Sequence, residues 1–201
     1  MKISILGVGH LASFLVQGAQ GAGHQFLLSQ HHSDKAADLA ARFGCELAAS
    51  NQAAVDANQH ILVSLPAATG LAVLQDLTFR AGQTVCSAMA GVSLDDLRRA
   101  VAPANVVQTM MPGFANAFSV GPVLLYPADI GWATFFAACG PVHQMPDARS
   151  FETAAVFGAM SGASIYFLRH LAAWYEAEGL DPTTARRLVA ETLRGNAEVF
   201  L

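Results

Sequence analysis

A mostly apolar run, Ile3-Ser4-Ile5-Leu6, passes directly into Gly7-Val8-Gly9-His10-Leu11-Ala12, and this junction constrains the chain more than any other feature. The first four residues read as a buried strand, and Leu11, Phe14, Leu15 and Gly18 recur after them at helical spacing. Between strand and helix stands GxGxxA. In such a unit the first glycine permits a sharp turn, and the second lacks a Cβ that would hold a pyrophosphate away. The alanine lets helix and strand pack closely. The helix N-terminus behind them offers free N–H groups to phosphate. Placed after a strand and before a helix, the pattern points to a dinucleotide-binding α/β fold.

The rest of the chain continues the alternation. Strands are expected at 2–6, 24–29, 45–48, 59–65, 84–87 and 105–110, with helical segments between them. Ser33 and Asp34 read as the start of the second helix, and Pro66 stops the fourth strand. Continuous apolar strands separated by helices predict a Rossmann-type parallel sheet covered on both faces. Such sheets bind ligands at the carboxyl ends of their strands, so the loops after residues 6, 29, 65, 87 and 111 are expected to form one crevice. From about residue 150 the pattern becomes helical throughout. Ala155, Ala159, Ala163, Phe167, Leu171 and Trp174 mark one helix over 151–178, and Asp181-Pro182 starts another that runs towards Leu201. The expected division is therefore a dinucleotide-binding domain over 1–149 and a short helical region over 150–201. Two helices cannot bury a core alone, so that region is expected to pack on the sheet domain or to make a homodimer.

Composition narrows the class. The 201 residues are 53% hydrophobic and 13% charged, with a net charge of -4, which argues against nucleic acid or a membrane surface as partner. No signal peptide is read at the N-terminus, and no apolar run is read as long enough to span a membrane. Cys45, Cys86 and Cys139 are well separated, with no CxxC pair, which fits a reducing, cytoplasmic setting. Seven histidines show neither HxxxH nor HExxH spacing, so no metal site is expected.

The end of the second strand speaks to the cofactor. NAD-preferring folds of this kind carry Asp or Glu there, bonded to the ribose 2′-OH. Here the strand ends in Ser29-Gln30-His31-His32-Ser33, without a carboxylate. Those side chains offer hydrogen bonds to a 2′-phosphate, which points to NADP ahead of NAD. No arginine supplies the usual clamp, so the preference is modest.

A colinear set of partial motifs resembles the pyrroline-5-carboxylate reductase family. Gly7-Val8-Gly9-His10-Leu11-Ala12 is similar to GAGNMA, and Ser64-Leu65-Pro66 to a strand end VKP. Ser87-Ala88-Met89-Ala90-Gly91-Val92 resembles SxxAGV, and Met111-Pro112-Gly113 with the later Gly121 resembles an MPN segment. Ser161-Gly162-Ala163-Ser164-Ile165-Tyr166 stands where that family has GSGPAY, and Gly179-Leu180-Asp181-Pro182 resembles its GLP link. The departures are Leu65 for lysine, Gly113 for asparagine, Thr109 for arginine, and a GSGPAY-like segment that keeps only its tyrosine. The chain also stops before the family's SPGGTT stretch.

The resemblance implies that Gly7, Val8, Gly9, His10, Leu11, Ser29, Gln30, His31, Asn51, Ser64, Leu65, Pro66 and Ala88 hold the cofactor. It implies that Met111, Pro112, Gly113, Ser161, Gly162 and Tyr166 meet a small imine substrate. Imine reduction needs little beyond hydride and positioning, so no catalytic acid or base is assigned. Tyr166 is read as packing ahead of donating a proton. Ser161 and Gly162 serve equally as a small-residue stripe for close helix approach. His10 is read as a hydrogen-bond donor at the helix start. The leading expectation is an NADPH-dependent reductase of a small cyclic imine. The alternatives are a deazaflavin (F420)-linked NADP oxidoreductase and a non-catalytic NADP-binding regulatory protein.

Overall fold

The computed structural model describes residues 1–29 and 34–201, which form two units, Met1–Ala155 and Val156–Leu201. In the first unit, β1 (Lys2–Leu6), α1 (His10–Gly18), β2 (Gln25–Ser29), α2 (Asp34–Phe43), β3 (Glu46–Ala48) and α3 (Asn51–Ala57) alternate. They are followed by β4 (His60–Val63), α4 (Ala67–Gln75), β5 (Thr84–Ser87), α5 (Leu94–Val101) and β6 (Asn105–Met110). The sheet order is β3-β2-β1-β4-β5-β6-β7-β8, with β7 at Val123–Tyr126 and β8 at Val142–Gln144.

Side-chain alternation sorts the strands onto two cores. Ile3, Ile5, Leu62, Cys86 and Val107 face one side, where they meet Leu15 and Val16 of α1 and Leu39 of α2. Ile61, Val63, Val85 and Val106 face the other, against Val55 of α3, Leu74 of α4 and Leu97 of α5. Ile5 stands beside Leu62, Leu62 beside Cys86 and Cys86 beside Val107, so a one-residue slip would move this whole row to the other face.

β1 to β6, the six strands expected from the sequence, are parallel, and the sheet continues into two strands that the sequence reading did not include, β7 and β8. β7 runs antiparallel to β6, with Thr109 opposite Leu125. The physical reason is the connection. Residues 111–122 contain only a 3₁₀ turn at Asn116–Phe118, which packs on α1. A parallel return would need a full crossover, usually a helix. α6 (Ile130–Phe136) then supplies such a crossover, and β8 lies parallel to β7. Trp132, Phe135 and Phe136 of α6 are fully buried, and Asp129 caps the helix by accepting the Trp132 N–H at 2.8 Å.

The single helix expected over 151–178 is two helices, α7 (Ala148–Ala154) in the first unit and α8 (Phe157–Ala177) in the second. In the second unit α8 packs on α9 (Pro182–Phe200), with Ala172, Ala185 and Val189 buried. Asp181 accepts the N–H groups of Thr183 and Thr184 at 3.0 and 3.1 Å, and Pro182 takes the first helical position, as the sequence implies. The reading that no apolar run is long enough to span a membrane needs correction. By length and composition alone, the helical stretch Ala148–Ala177 qualifies, since one 18-residue window in it has a mean hydropathy of 1.2.

Candidate functional site

The strand order reverses between β1 and β4, and a cavity of about 600 Å³ opens at their carboxyl ends. Gly7, Val8 and Gly9 form one wall, with Ser29 at the end of β2 and Asn51 at the start of α3. Ser64, Leu65 and Pro66 lead from β4 into α4, whose Thr69 and Val73 continue the lining to Asp76 and Leu77.

Backbone geometry explains the glycines. Gly7 has φ of +87°, and a Cβ built there would lie 2.8 Å from backbone atoms of Ser64 and Leu65. The loop after β1 is thus pressed against the end of β4. The Ser64 hydroxyl donates to the Gly7 carbonyl at 2.5 Å, and the Gly7 N–H donates to the Ser29 hydroxyl at 3.3 Å. Three strands are tied at one point. Gly9 differs, because a Cβ there meets no heavy atom within 4 Å and would project into open space.

The helix caps follow the same division. Ser50, Ser93, Asp129, Asp147 and Asp181 cap α3, α5, α6, α7 and α9 with side-chain oxygens. Among the described residues no side chain caps α1 or α4, which start at the cavity behind Gly9 and Pro66. Their first-turn N–H groups are left to a ligand, which suits a pyrophosphate. The roomy glycine cradle, the uncapped helix start and the position at the strand reversal together fit a dinucleotide.

Of the residues expected at the cofactor, Gly7, Val8, Gly9, Ser29, Asn51, Ser64, Leu65 and Pro66 line this cavity together. His10, Leu11 and Ala88 are not among its lining residues. His10 is exposed and stacks on Phe14, with ring centroids 6.4 Å apart. Gln30 and His31, with Ser33, lie outside the described residues. The sequence reading ran the fourth strand to Leu65, but β4 ends at Val63 and frees Ser64-Leu65-Pro66 for the cavity.

Thr69, Val73, Asp76 and Leu77 were missed. The helical spacing of Thr69 and Val73 on α4 is a usable signal, but only the fold shows which face of the helix turns to the cavity. Gln52 holds the outer end of that wall. Its amide donates to the Thr78 carbonyl at 2.9 Å and accepts the Thr78 N–H at 2.8 Å.

The residues expected at the substrate are divided between the two units. Met111 is buried in the core among α1 and β6 side chains. The Gly113 N–H is taken by Asn116 Oδ1 at 2.9 Å, and Pro112 is half-buried. Ser161, Gly162 and Tyr166 belong to α8 in the second unit, where Gly162 and Tyr166 border a cavity with Arg169 and His170. Asn116 went unnoticed in the sequence. It is fully buried, and its Nδ2 donates to the carbonyls of Gly121 and Cys139 at 2.7 and 3.1 Å.

Residues 2–91 match the family described as NADP oxidoreductase, coenzyme F420-dependent. No curated protein matches the sequence. Among solved structures, the chain is similar to a 1-pyrroline-5-carboxylate reductase from Streptococcus pyogenes, at 22% identity with a TM-score of 0.84, covering 98% of this chain and 78% of that one. A Plasmodium falciparum pyrroline carboxylate reductase with NADP bound matches at 17% identity, with the same TM-score and coverage. A reductive aminase from Aspergillus terreus in complex with NADPH4, cyclohexanone and allyl amine matches at 19% identity with a TM-score of 0.73, covering 99% of this chain and 74% of that one. At these identities the likeness establishes a shared fold, a Rossmann-like sheet followed by a helical region.

Proposed function

We propose that this chain is an NADPH-dependent reductase of the C=N bond of a small cyclic imine, a reaction like the reduction of 1-pyrroline-5-carboxylate to proline. The observation that carries the reading is the cradle at the strand reversal, where Gly7 backs onto Ser64 and Leu65 and Gly9 leaves open space before an uncapped helix. Gly7 to Gly9 and the first turn of α1 would hold the pyrophosphate. Ser29, Asn51, Asp76 and Leu77 would hold the adenosine end. When bound, NADPH supplies hydride to the imine carbon. The chain's own part is to bind and orient the two partners and to exclude water between them.

The solved structures of similar fold include pyrroline-5-carboxylate reductases and a reductive aminase, which supports C=N reduction as the reaction class. The colinear motifs from Gly7 through Pro182 support the proline-type substrate. NADP ahead of NAD rests on the absence of a carboxylate at Ser29 and on those relatives. The first unit would carry the cofactor, and the helical unit would complete the enzyme as a homodimer in a reducing, cytoplasmic setting, consistent with three free, buried cysteines.

A second reading has its own support. The family match over residues 2–91 favours a deazaflavin-linked NADP oxidoreductase. NADPH oxidation with pyrroline-5-carboxylate, against a no-imine control, separates the readings. Turnover supports the proposal. NADPH binding without turnover on this or any simple cyclic imine removes it and leaves the deazaflavin or regulatory readings.

A further inference from the structure

A cavity of about 320 Å³ lies at the carboxyl ends of β5 and β6 and shares no lining residue with the glycine cradle. Pockets that take small ligands begin at about this size. Met89, Val92, Met110 and Phe151 give it apolar walls.

Its polar side chains divide into spent and unspent groups. The Thr109 hydroxyl donates to the Leu124 carbonyl at 2.9 Å, and the Ser93 hydroxyl donates to Asp96 at 2.6 Å. Ser87 differs. It is only 2% exposed, and its oxygen accepts the Met89 N–H at 3.3 Å, but its own proton meets no acceptor among the described residues. A buried hydroxyl with an unmade hydrogen bond calls for a partner. Gln108 supplies the opposite group. Its Nε2 donates to the Val92 carbonyl at 2.8 Å, which leaves Oε1 free to accept. Ser87 and Gln108 are partners in the β5–β6 register, so both side chains leave the same face of the sheet, on strands about 4.8 Å apart.

Charge does not decide this pair. The lining contains no lysine, arginine or histidine to hold an anion. Glu152 is exposed, so water screens its carboxylate from a ligand at the pair. The N–H groups of Ala90, Gly91 and Ser93 find no acceptor in the chain, but these residues are also exposed, where water reaches them. One buried donor beside one acceptor, with no charge on either, matches a neutral amide, which offers a C=O and an N–H side by side.

We infer that this cavity binds a small neutral lactam or carboxamide, its carbonyl oxygen accepting from the Ser87 hydroxyl and its N–H donating to Gln108 Oε1. The site stands on the cavity alone, and only its place beside a bound cofactor rests on the reductase reading. The probe is 2-pyrrolidinone, titrated into the full chain without cofactor and followed by amide NMR shifts. Saturable shifts at Gly91, Val92 and Met110 are expected. Cyclopentanone, which lacks the N–H, should bind about fivefold more weakly, the scale of one net hydrogen bond. Pyrrolidinium and acetate should show no saturation. Ser87→Ala should weaken 2-pyrrolidinone about fivefold, and Ser87→Thr, which keeps the hydroxyl, should restore it. The ligand series on the unaltered chain decides the matter even where a variant fails to fold. Repeating the titration with saturating NADPH separates two sources of the amide. Shifts that persist assign the cavity to a free amide, shifts that are displaced assign it to the carboxamide that NADPH carries, and both support an amide site.

No saturation by 2-pyrrolidinone, equal affinity for cyclopentanone, tighter binding of pyrrolidinium or acetate, or unchanged affinity in folded Ser87→Ala would overturn the inference. Amide binding that depends on Ser87, without reduction of any imine, would leave the site standing and remove the reductase reading.

Discussion

The Ser64 hydroxyl reaches across from the end of β4 to the Gly7 carbonyl, 2.5 Å away, and locks the glycine turn to the neighbouring strand. Gly7 and Gly9 therefore have separable duties. Gly7→Ala would place a Cβ against the Ser64 and Leu65 backbone at positive φ, so it should cost about 1–3 kcal/mol of stability. Gly9→Ala meets nothing in the protein. It should leave the denaturation midpoint unchanged and weaken NADPH at least tenfold by fluorescence titration. Equal NADPH affinity in Gly9→Ala would remove the cradle as the pyrophosphate site.

Asn116 satisfies three buried backbone groups, of Gly113, Gly121 and Cys139. Asn116→Ala strands them, at about 1–3 kcal/mol per buried group. Urea denaturation should show a loss of about 3 kcal/mol or more, which corresponds to a fall in Tm of roughly 10 °C for a chain of this size. Asn116→Asp should be little better, because it cannot donate to the two carbonyls.

Gln52 grips both backbone groups of Thr78 and so fixes the Asp76–Leu77 edge of the main cavity. Gln52→Leu should raise the Kd for NADPH about three- to tenfold while stability falls by only about 1 kcal/mol, since the pair is exposed. A matching loss in 2′,5′-ADP affinity, with no loss for nicotinamide mononucleotide, would assign the effect to the adenosine end.

His24 and His60 give the fold an acid sensitivity. Burial holds both imidazoles below their usual pKa, and the N-terminal amine adds to this at His24, where it lies 3.1 Å from Nδ1. At His60, Asp129 pulls the other way without cancelling the shift. The unfolded chain binds these protons first, at about pH 6.5. Stability is therefore full above that pH and declines as pH falls from there through the lowered folded values. Tm measured between pH 8 and 5 should drop on the acid side, and a double His24→Gln, His60→Gln variant should flatten the decline.

Helix α8 leaves Met160, Ile165, Tyr166, Phe167 and Trp174 exposed in the single chain. A second copy is the expected cover, so sedimentation at micromolar concentration should report a dimer. Ile165→Glu with Phe167→Glu should convert it to monomer without altering NADPH binding by the first unit. A monomer of the unaltered chain would refute the dimer.

Local pattern determined much of this protein. The strand-GxGxxA-helix junction, the alternation through β6 and the Asp181-Pro182 helix start are legible because each depends on neighbours within a few residues, through period, cap and turn chemistry. Most of the cradle was legible for the same reason, since Gly7, Gly9 and Ser29 sit at strand ends where such folds bind ligands. Tertiary structure alone decided the rest. β7 reverses because a 3₁₀ turn on α1 replaces a crossover, and Asn116 earns its place only when Gly121 and Cys139 are folded around it. Thr69, Val73, Asp76 and Leu77 join the cradle through the packing of α4. Spacing encodes which face of an element is apolar, whereas the partner of that face is set by contacts between residues far apart in the chain.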